Sequence, residues 1–302
     1  MKIIFFGTPE FAYDLLKALI DNGYDISLVV TRADKPKGRG YKTVFSPVKA
    51  LALENNIKIY QPESLRTEEA YEILKAEQAD IFITAAYGRI FPKNILDLPP
   101  LGCINIHASL LPKLRGSSPI NRAIINGDTK GGITIMKMDE GVDTGDILLQ
   151  EAIDIPAEMY FDEYYNAMGA LGGKLILQYL KALQSNTNII NIKQDEALAT
   201  FAPKVEKHET ELDFNKPCKE VYNKIRGLSP TPCAFTYLNQ KRVKIFKCRL
   251  GTSSAVPGEV VKADKNGIEI ACADGSIIIT ELQPDGKKRM DAAAFISGNR
   301  IF

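Results

Sequence analysis

Apolar runs of strand length alternate with helical patterns over the first 107 residues. The strand-like runs are residues 2–6, 25–30, 57–60, 80–86 and 102–107. Three helix candidates lie between them, at 9–22, 46–55 and 66–77, and the second opens with Ser46 and Pro47, a cap residue and a proline in the first turn. This alternation predicts βαβ units and a mostly parallel sheet, that is, a Rossmann-like α/β domain.

The pattern changes after residue 130. Residues 132–139 and 146–155 are extended runs, 160–184 is helical, and 185–205 has no sustained period, which is typical of a linker. A short helix at 218–228 and five short β-type runs follow, and they predict a small OB-like β-barrel. The predicted domains are therefore a catalytic α/β domain over 1–188, a linker over 189–205 and a barrel over 206–302.

Several classes of protein are not supported by the motifs. The turn after the first strand reads GTPEFA rather than G-x-G-x-x-G, so a dinucleotide-binding domain is not indicated. The five cysteines are widely spaced and form no C-x-x-C pair, so we predict no metal site, no disulfide framework and a cytoplasmic location. No stretch reaches the roughly 20 apolar residues of a membrane span, and we expect no membrane association.

Charge is unevenly distributed along the chain. The net charge is +1, but residues 206–302 carry 16 Lys and Arg against 12 Asp and Glu, and residues 1–205 carry 22 against 25. A mildly basic barrel is compatible with RNA binding, because OB-type barrels often bind nucleic acid. A solvated surface explains the same surplus equally well.

One of only two histidines follows an asparagine in the run INIH. On a strand, Asn105 and His107 share a face, and they lie at the strand end, the edge of an α/β sheet where ligands usually bind. A structural histidine is the simpler interpretation. Alternatively, the amide and the imidazole stabilise a developing oxyanion while a carboxylate orients the ring, which suits metal-free acyl-type transfer. The segment MDEGVDTGD offers four acids for that role, and spacing does not choose among them.

Seven motifs carry a resemblance to a known family. They are FGTPEFA (6–12), KPKGRGYKTVFSPVK (35–49), QPESLR (61–66), NIHASLLPKLRG (105–116), GITIMKMDEGVDTGDIL (132–148), FAPKVEK (201–207) and IRGLSPTPCAF (225–235). In this order they resemble the methionyl-tRNA formyltransferase family from residue 3 to about 250. The chain departs from the pattern at SPTP, where the family commonly has a tryptophan, and we interpret this as a lost packing residue.

The resemblance implies a formyl transfer reaction and its site. The formyl donor is 10-formyltetrahydrofolate, the acceptor is the amino group of initiator methionyl-tRNA, and no metal takes part. The implied catalytic residues are Asn105, His107 and Asp143, with the Asn105 amide and protonated His107 meeting the charge on the formyl oxygen. The implied folate site is formed by Ser109, Leu110, Leu111 and Pro112.

The segment 31–42 is rich in Lys, Arg, Gly and Pro and has no apolar run. Its composition alone is typical of a solvated loop, but at the carboxyl edge of the sheet its cations could also contact RNA phosphates. The resemblance implies that Arg39 contacts the tRNA acceptor end, with Lys37 and Lys42 beside it. No obligate protein partner is expected.

Three other functions remain open from the sequence. A formyltransferase acting on an amino sugar nucleotide shares the N-terminal chemistry, but the GRG loop and the RNA-type tail favour tRNA. A folate hydrolase uses the same residues with water as the nucleophile, and carries a regulatory segment that we do not find. A non-enzymatic RNA-binding module explains the basic tail but gives no reason for Asn105 and His107.

Overall fold

Seven strands form the sheet of the α/β part of the protein. A computed structural model describes residues 1–37, 42–185, 187 and 189–298. The sheet order is β5-β2-β1-β6-β7-β8-β9. The first five strands in this order pair in parallel, and β8 runs antiparallel to β7. The strands are β1 (Lys2–Gly7), β2 (Asp25–Val30), β5 (Ile59–Tyr60), β6 (Ile81–Ala85), β7 (Cys103–His107), β8 (Lys130–Lys137) and β9 (Ile147–Asp154).

The helices between these strands follow the predicted pattern closely. Ser46 caps the second helix, with its Oγ accepting a hydrogen bond of 3.1 Å from the Lys49 backbone N–H, as predicted from the Ser-Pro pair. Two short helices, α4 and α5, were not predicted. The helices are α1 (Glu10–Asp21), α2 (Pro47–Glu54), α3 (Glu68–Ala76), α4 (Lys93–Leu96), α5 (Pro119–Asn126) and α6 (Phe161–Gln184).

The central strand β1 is buried on both faces. Its residues Ile3 to Phe6 have no exposed surface, which explains why they form a continuous apolar run rather than an alternating one. On one face the Phe6 ring packs against Phe82, Tyr87 and Phe91, with ring centroids 4.8 to 5.6 Å apart. This core fixes the middle of the sheet, so the ends of β6 and β7 have defined positions.

A second, antiparallel sheet occupies the C-terminal third of the chain. Its order is β10-β11-β14-β13-β12, with β15 paired to β14. The predicted α/β domain with a separate small β domain is thereby confirmed. The elements are β10 (Ala234–Leu238), β11 (Lys241–Gly251), β12 (Val260–Asp264), β13 (Gly267–Ala271), β14 (Ser276–Pro284) and β15 (Met290–Asp291), with helices α7 (Cys218–Leu228) and α8 (Ala292–Gly298).

The chain divides into two compact units that interleave along the sequence. The first consists of Met1–Pro119, Gly131–Ile153 and Tyr165–Pro203, and the second of Ile120–Lys130, Asp154–Tyr164 and Lys204–Phe302. The predicted bounds of 1–188, 189–205 and 206–302 instead follow sequence order, because a pattern read along the chain assumes that each domain is continuous. Residues 189–203, predicted as linker, fall within the first unit.

Candidate active site

Strand β7 places Asn105 and His107 on the same face at the carboxyl edge of the sheet. Their neighbours Ile104 and Ile106 are each 1% exposed and pack on the opposite face. His107 is itself buried, and it lies opposite Thr134 in the antiparallel pair with β8. The alternation of a strand thus produces the juxtaposition predicted from the sequence.

Asp143 joins Asn105 and His107 from the loop between β8 and β9. Its Oδ1 accepts a hydrogen bond of 3.3 Å from Asn105 Nδ2, and its Oδ2 lies 3.5 Å from His107 Nδ1. The backbone N–H of Gly116 donates to the same Oδ2 at 2.8 Å. The three side chains that the resemblance implies as catalytic therefore form one cluster.

The geometry distinguishes Asp143 from a neighbouring acid of the same loop. Asp139 accepts hydrogen bonds from the Gly141 backbone N–H at 3.0 Å and from Thr144 Oγ1 at 2.7 Å, so its carboxylate stabilises the turn itself. Asp143, in contrast, has a left-handed backbone conformation with a φ of 56° and directs its carboxylate to β7. Spacing could not make this choice, because both acids lie in the same short polar loop.

The imidazole of His107 has an oxygen partner at each nitrogen. Nε2 lies 2.9 Å from the Leu114 carbonyl oxygen, and Nδ1 faces the Asp143 carboxylate. A carbonyl oxygen only accepts, so Nε2 carries a hydrogen. Protonation of the ring therefore places a second N–H at Nδ1, beside a carboxylate that stabilises the positive charge.

The loop Ser109–Pro112, predicted to line the folate site, has two residues turned inward. Ser109 is 2% exposed and its Oγ donates to the Lys113 carbonyl at 2.6 Å, while Leu111 is 3% exposed and packs against Met136 and Ile147. Leu110 and Pro112 are half-buried. Leu110 and Pro112 therefore present more surface to solvent than Ser109 and Leu111 do, and the assignment of all four to a folate site stays a prediction.

Thr134 fixes this loop from strand β8 and was missed by the sequence analysis. The residue has no exposed surface, and its Oγ1 donates to the Ser109 carbonyl at 2.6 Å. The same oxygen accepts from the Leu111 N–H at 3.1 Å and from Gln150 Nε2 at 2.7 Å. From the sequence, residues 132–139 were predicted only as an extended run, and nothing local in it indicated which loop Thr134 contacts.

Arg115 is a second residue whose role the sequence did not reveal. It is 3% exposed, and its guanidinium donates to both carboxylate oxygens of Glu196, at 2.7 and 2.8 Å. This bidentate pair raises the pKa of Arg115 and lowers the pKa of Glu196. Gln194 completes the contact, as its Oε1 accepts from Arg115 Nε at 3.0 Å and from Nη2 at 2.8 Å.

Residues 38–41 of the predicted tRNA loop lie outside the described residues. Arg39 is not described, and of Lys37 and Lys42 only the backbone is, in a two-stranded hairpin of β3 (Lys35–Lys37) and β4 (Lys42–Val44). The base of the hairpin is better defined. Lys49 forms an ion pair with Asp34, and this hydrogen-bonded contact holds the pKa of the Asp34 carboxyl below its usual value.

Neither a metal cluster nor a membrane span is found in the described part of the chain. Among these residues, no three His, Cys, Asp or Glu side chains are grouped so that they could hold a metal ion. No described helix is both long and apolar enough to cross a bilayer.

Fold and site together define a class of protein. The sheet is Rossmann-like, and an amide, an imidazole and a carboxylate meet at the carboxyl edge of its parallel strands, as in enzymes that transfer a group by polar, acid–base chemistry.

Comparison with known proteins identifies the family within this class. Residues 1–180 match the family described as "Formyl transferase". Residues 204–300 match the family described as "Formyl transferase, C-terminal domain". The chain belongs to the formyl transferase family.

Individual relatives agree with this placement. The methionyl-tRNA formyltransferase of Ruminiclostridium cellulolyticum is 45% identical over 305 residues, which cover 100% of this chain and 97% of that protein. The structure of WlaRD, a sugar 3N-formyl transferase studied with dTDP and 5-N-formyl-THF, has a TM-score of 0.70 at 25% identity over 95% of this chain and 99% of its own. HypX from Aquifex aeolicus, in complex with tetrahydrofolic acid, has a TM-score of 0.66 at 17% identity; the match covers 98% of this chain but 47% of HypX.

We expect Thr134→Val to loosen the Ser109–Pro112 loop. Valine keeps the shape but removes the hydroxyl, which leaves the buried Leu111 N–H without its partner and costs about 1–3 kcal/mol of stability. The measurements are thermal unfolding and amide hydrogen exchange at Leu111. Thr134→Ser keeps the hydroxyl and is the control. Equal exchange rates in the two variants would show that the hydroxyl does not fix the loop.

Proposed function

We propose that the chain transfers a formyl group from 10-formyltetrahydrofolate to the amino group of methionine on initiator tRNA, giving N-formylmethionyl-tRNA for translation initiation. The observation that carries the proposal is the full-length similarity to a methionyl-tRNA formyltransferase at 45% identity, combined with the clustering of Asn105, His107 and Asp143. The activity belongs in the cytoplasm, where initiation takes place.

In the proposed mechanism the cluster stabilises the negative charge that develops on the formyl oxygen. 10-Formyltetrahydrofolate supplies the formyl group from N10, the methionyl nitrogen forms the new C–N bond and loses a proton, and N10 takes one up as its bond breaks. An amide nitrogen carries two hydrogens, so Asn105 Nδ2 has one N–H available beyond its bond to Asp143. Protonated His107 contributes positive charge, which the Asp143 carboxylate stabilises.

The residues present fit a folate next to this cluster. Leu110 and Pro112 offer half-buried apolar surface. The loop that carries them is tied through Leu111 to Thr134, which lies opposite His107 in the sheet. An apolar wall beside a few fixed polar groups is typical of small-molecule sites. The arrangement supports a folate site at Leu110 and Pro112, with Ser109 and Leu111 holding the loop in shape.

The second unit is suited to hold the tRNA body. Lys241, Lys247 and Arg249 are exposed along β11, and none of the three forms an ion pair with a carboxylate in the described part of the chain. Cations without a protein partner are available to phosphates, which supply most of the affinity of nucleic-acid binding. The contacts of Arg39, Lys37 and Lys42 with the acceptor end stay a prediction.

The proposal is tested by offering the purified protein 10-formyltetrahydrofolate with each of three acceptors. These are initiator methionyl-tRNA, an amino sugar nucleotide, and water alone. We expect formyl transfer only to methionyl-tRNA. Transfer to the sugar would assign the chain to the sugar N-formyl transferases, and release of formate without an acceptor would indicate a hydrolase.

His107→Ala and Asn105→Ala should each lower turnover by about 100- to 1,000-fold, because each removes a group that stabilises the oxyanion. The binding of folate and tRNA should change little, which equilibrium binding on the same preparations would establish. His208→Ala is the matched control, since His208 is the other histidine and is exposed. If His107→Ala kept a tenth of the normal turnover, His107 would have no place in the mechanism.

Replacing Lys241, Lys247 and Arg249 together by glutamine should weaken tRNA binding and flatten its dependence on salt. Each lost phosphate contact reduces the slope of log K against log salt by about 1. Folate binding should be unaffected. The control replaces Lys17, Lys75 and Lys93, each of which is paired with an acidic residue three or four positions away in the sequence. An unchanged slope in the first triple variant would show that this face of β11 does not bind the tRNA.

A further inference from the structure

The segment 192–202 is fixed to the first unit at both of its ends. The backbones of Ile147 and Ile192 exchange hydrogen bonds of 2.8 and 2.9 Å. At the other end, the Arg115 N–H donates to the Thr200 carbonyl at 2.9 Å, and the Ala202 N–H donates to the Arg115 carbonyl at 2.7 Å. Gln194 lies between these anchors, so its backbone has a defined position beside the loop that carries Asp143.

The side-chain amide of Gln194 makes four hydrogen bonds. Its Nε2 donates to the backbone carbonyls of Asp143 at 2.9 Å and of Gly145 at 2.7 Å. Its Oε1 accepts from Nε and Nη2 of Arg115, as described above. Both hydrogens of the amide nitrogen and both lone pairs of its oxygen are thereby used.

Arg115 determines which way this amide points. A guanidinium only donates, so the oxygen of Gln194 faces Arg115 and the nitrogen faces the two carbonyls. Glu196 holds the guanidinium in place through its bidentate pair. The orientation of the Gln194 amide is therefore fixed by the chain itself, before any substrate binds.

The loop that accepts these hydrogen bonds from Gln194 has an unusual backbone conformation and packs tightly. Asp143 has a φ of 56°, a left-handed conformation that is uncommon for residues other than glycine. A Cβ at Gly145 would lie 1.8 Å from the Lys137 carbonyl oxygen, so this part of the loop runs directly against β8. By bridging the carbonyls of residues 143 and 145, Gln194 stabilises the turn from which the Asp143 carboxylate reaches His107.

We infer that Gln194, oriented by Arg115, is a positioning residue that sets the direction of the Asp143 carboxylate toward Asn105 and His107. This role rests on the proposed function, because it acts through Asp143. It gives the region predicted as linker a part in catalysis. Gln194 itself does not touch the reacting atoms.

The test compares Gln194→Ala and Gln194→Glu with the wild-type protein. The glutamate keeps the size of the side chain and the acceptor for Arg115. It replaces the two donated N–H groups by a carboxylate oxygen, which faces the carbonyl oxygens of Asp143 and Gly145. We expect kcat to fall by about 10- to 100-fold in both variants, as for a catalytic group displaced by a fraction of an ångström to 1 Å. KM for both substrates should stay within about twofold, because the displaced group acts on the transition state.

Gln184→Ala and Gln184→Glu are the matched controls, since Gln184 is exposed at the end of α6. They should retain normal kcat, and thermal unfolding should show all four proteins folded at the assay temperature. A normal kcat in Gln194→Glu, or a loss that appears only in KM, would overturn the inference.

A double-mutant cycle with Asp143→Ala separates this inference from the proposed function. If Gln194 acts through Asp143, Gln194→Ala should lower kcat by less than about twofold once Asp143 is already alanine. Equal losses from Gln194→Ala in both backgrounds would indicate a general structural effect and contradict positioning. Full activity of Asp143→Ala alone would instead remove Asp143 from the proposed mechanism.

Discussion

The carboxylate of Asp143 is where distant parts of the chain meet. Its two oxygens reach Asn105 and His107 on β7 and the backbone N–H of Gly116. Each of these groups alone is a common feature of a folded protein. Together they bring an amide, an imidazole and a carboxylate to the edge where the parallel strands end, and the chemistry of the site depends on this one convergence.

The loops around this carboxylate are held by polar groups that the protein satisfies internally. The Thr134 hydroxyl holds the Ser109–Pro112 loop, and the Gln194 amide, which accepts from the Arg115 guanidinium, donates to the loop around Asp143. A buried arginine without such partners would be strongly destabilising, whereas one that is fully paired rigidifies its surroundings. In the mechanism that we propose, loops fixed in this way keep Asn105 and His107 in place, so that little reorganisation is needed when charge develops.

The sheet and the shared face of Asn105 and His107 on β7 were predicted from the sequence because both depend on local patterns. The apolar run of β1 reflects burial on both faces of a strand, and the alternation in INIH reflects a difference between the two faces. Both patterns can be recognised from a few consecutive residues. Asp143 was identified only through family resemblance, since its loop holds several acids. Arg115 and Gln194 could not be found, because their contacts join residues 79 apart in a segment with no period, and no local signal marks such a pairing.

The two compact units are not continuous in sequence, unlike the predicted domains. In the second unit, Asn121 Nδ2 donates to the Gly227 carbonyl at 2.8 Å, and a Cβ at Gly227 would lie 2.7 Å from Ile125, so this helical segment packs closely on α7. Arg122 also forms an ion pair with Glu209 and lowers the pKa of that carboxyl to about 2.

Residues 154–164 belong to the second unit as well. Tyr160 exchanges hydrogen bonds of 3.1 Å with the backbone of Cys248 in β11. Both inserted stretches directly flank β8 and β9, the strands on either side of the Asp143 loop. A fragment ending near residue 188 would therefore contain helical and apolar surface, such as Ile125, whose packing partners lie beyond its end. The motifs follow one another along the chain, but residues 120–130 and 154–164, which lie between segments of the first unit, belong to the second unit.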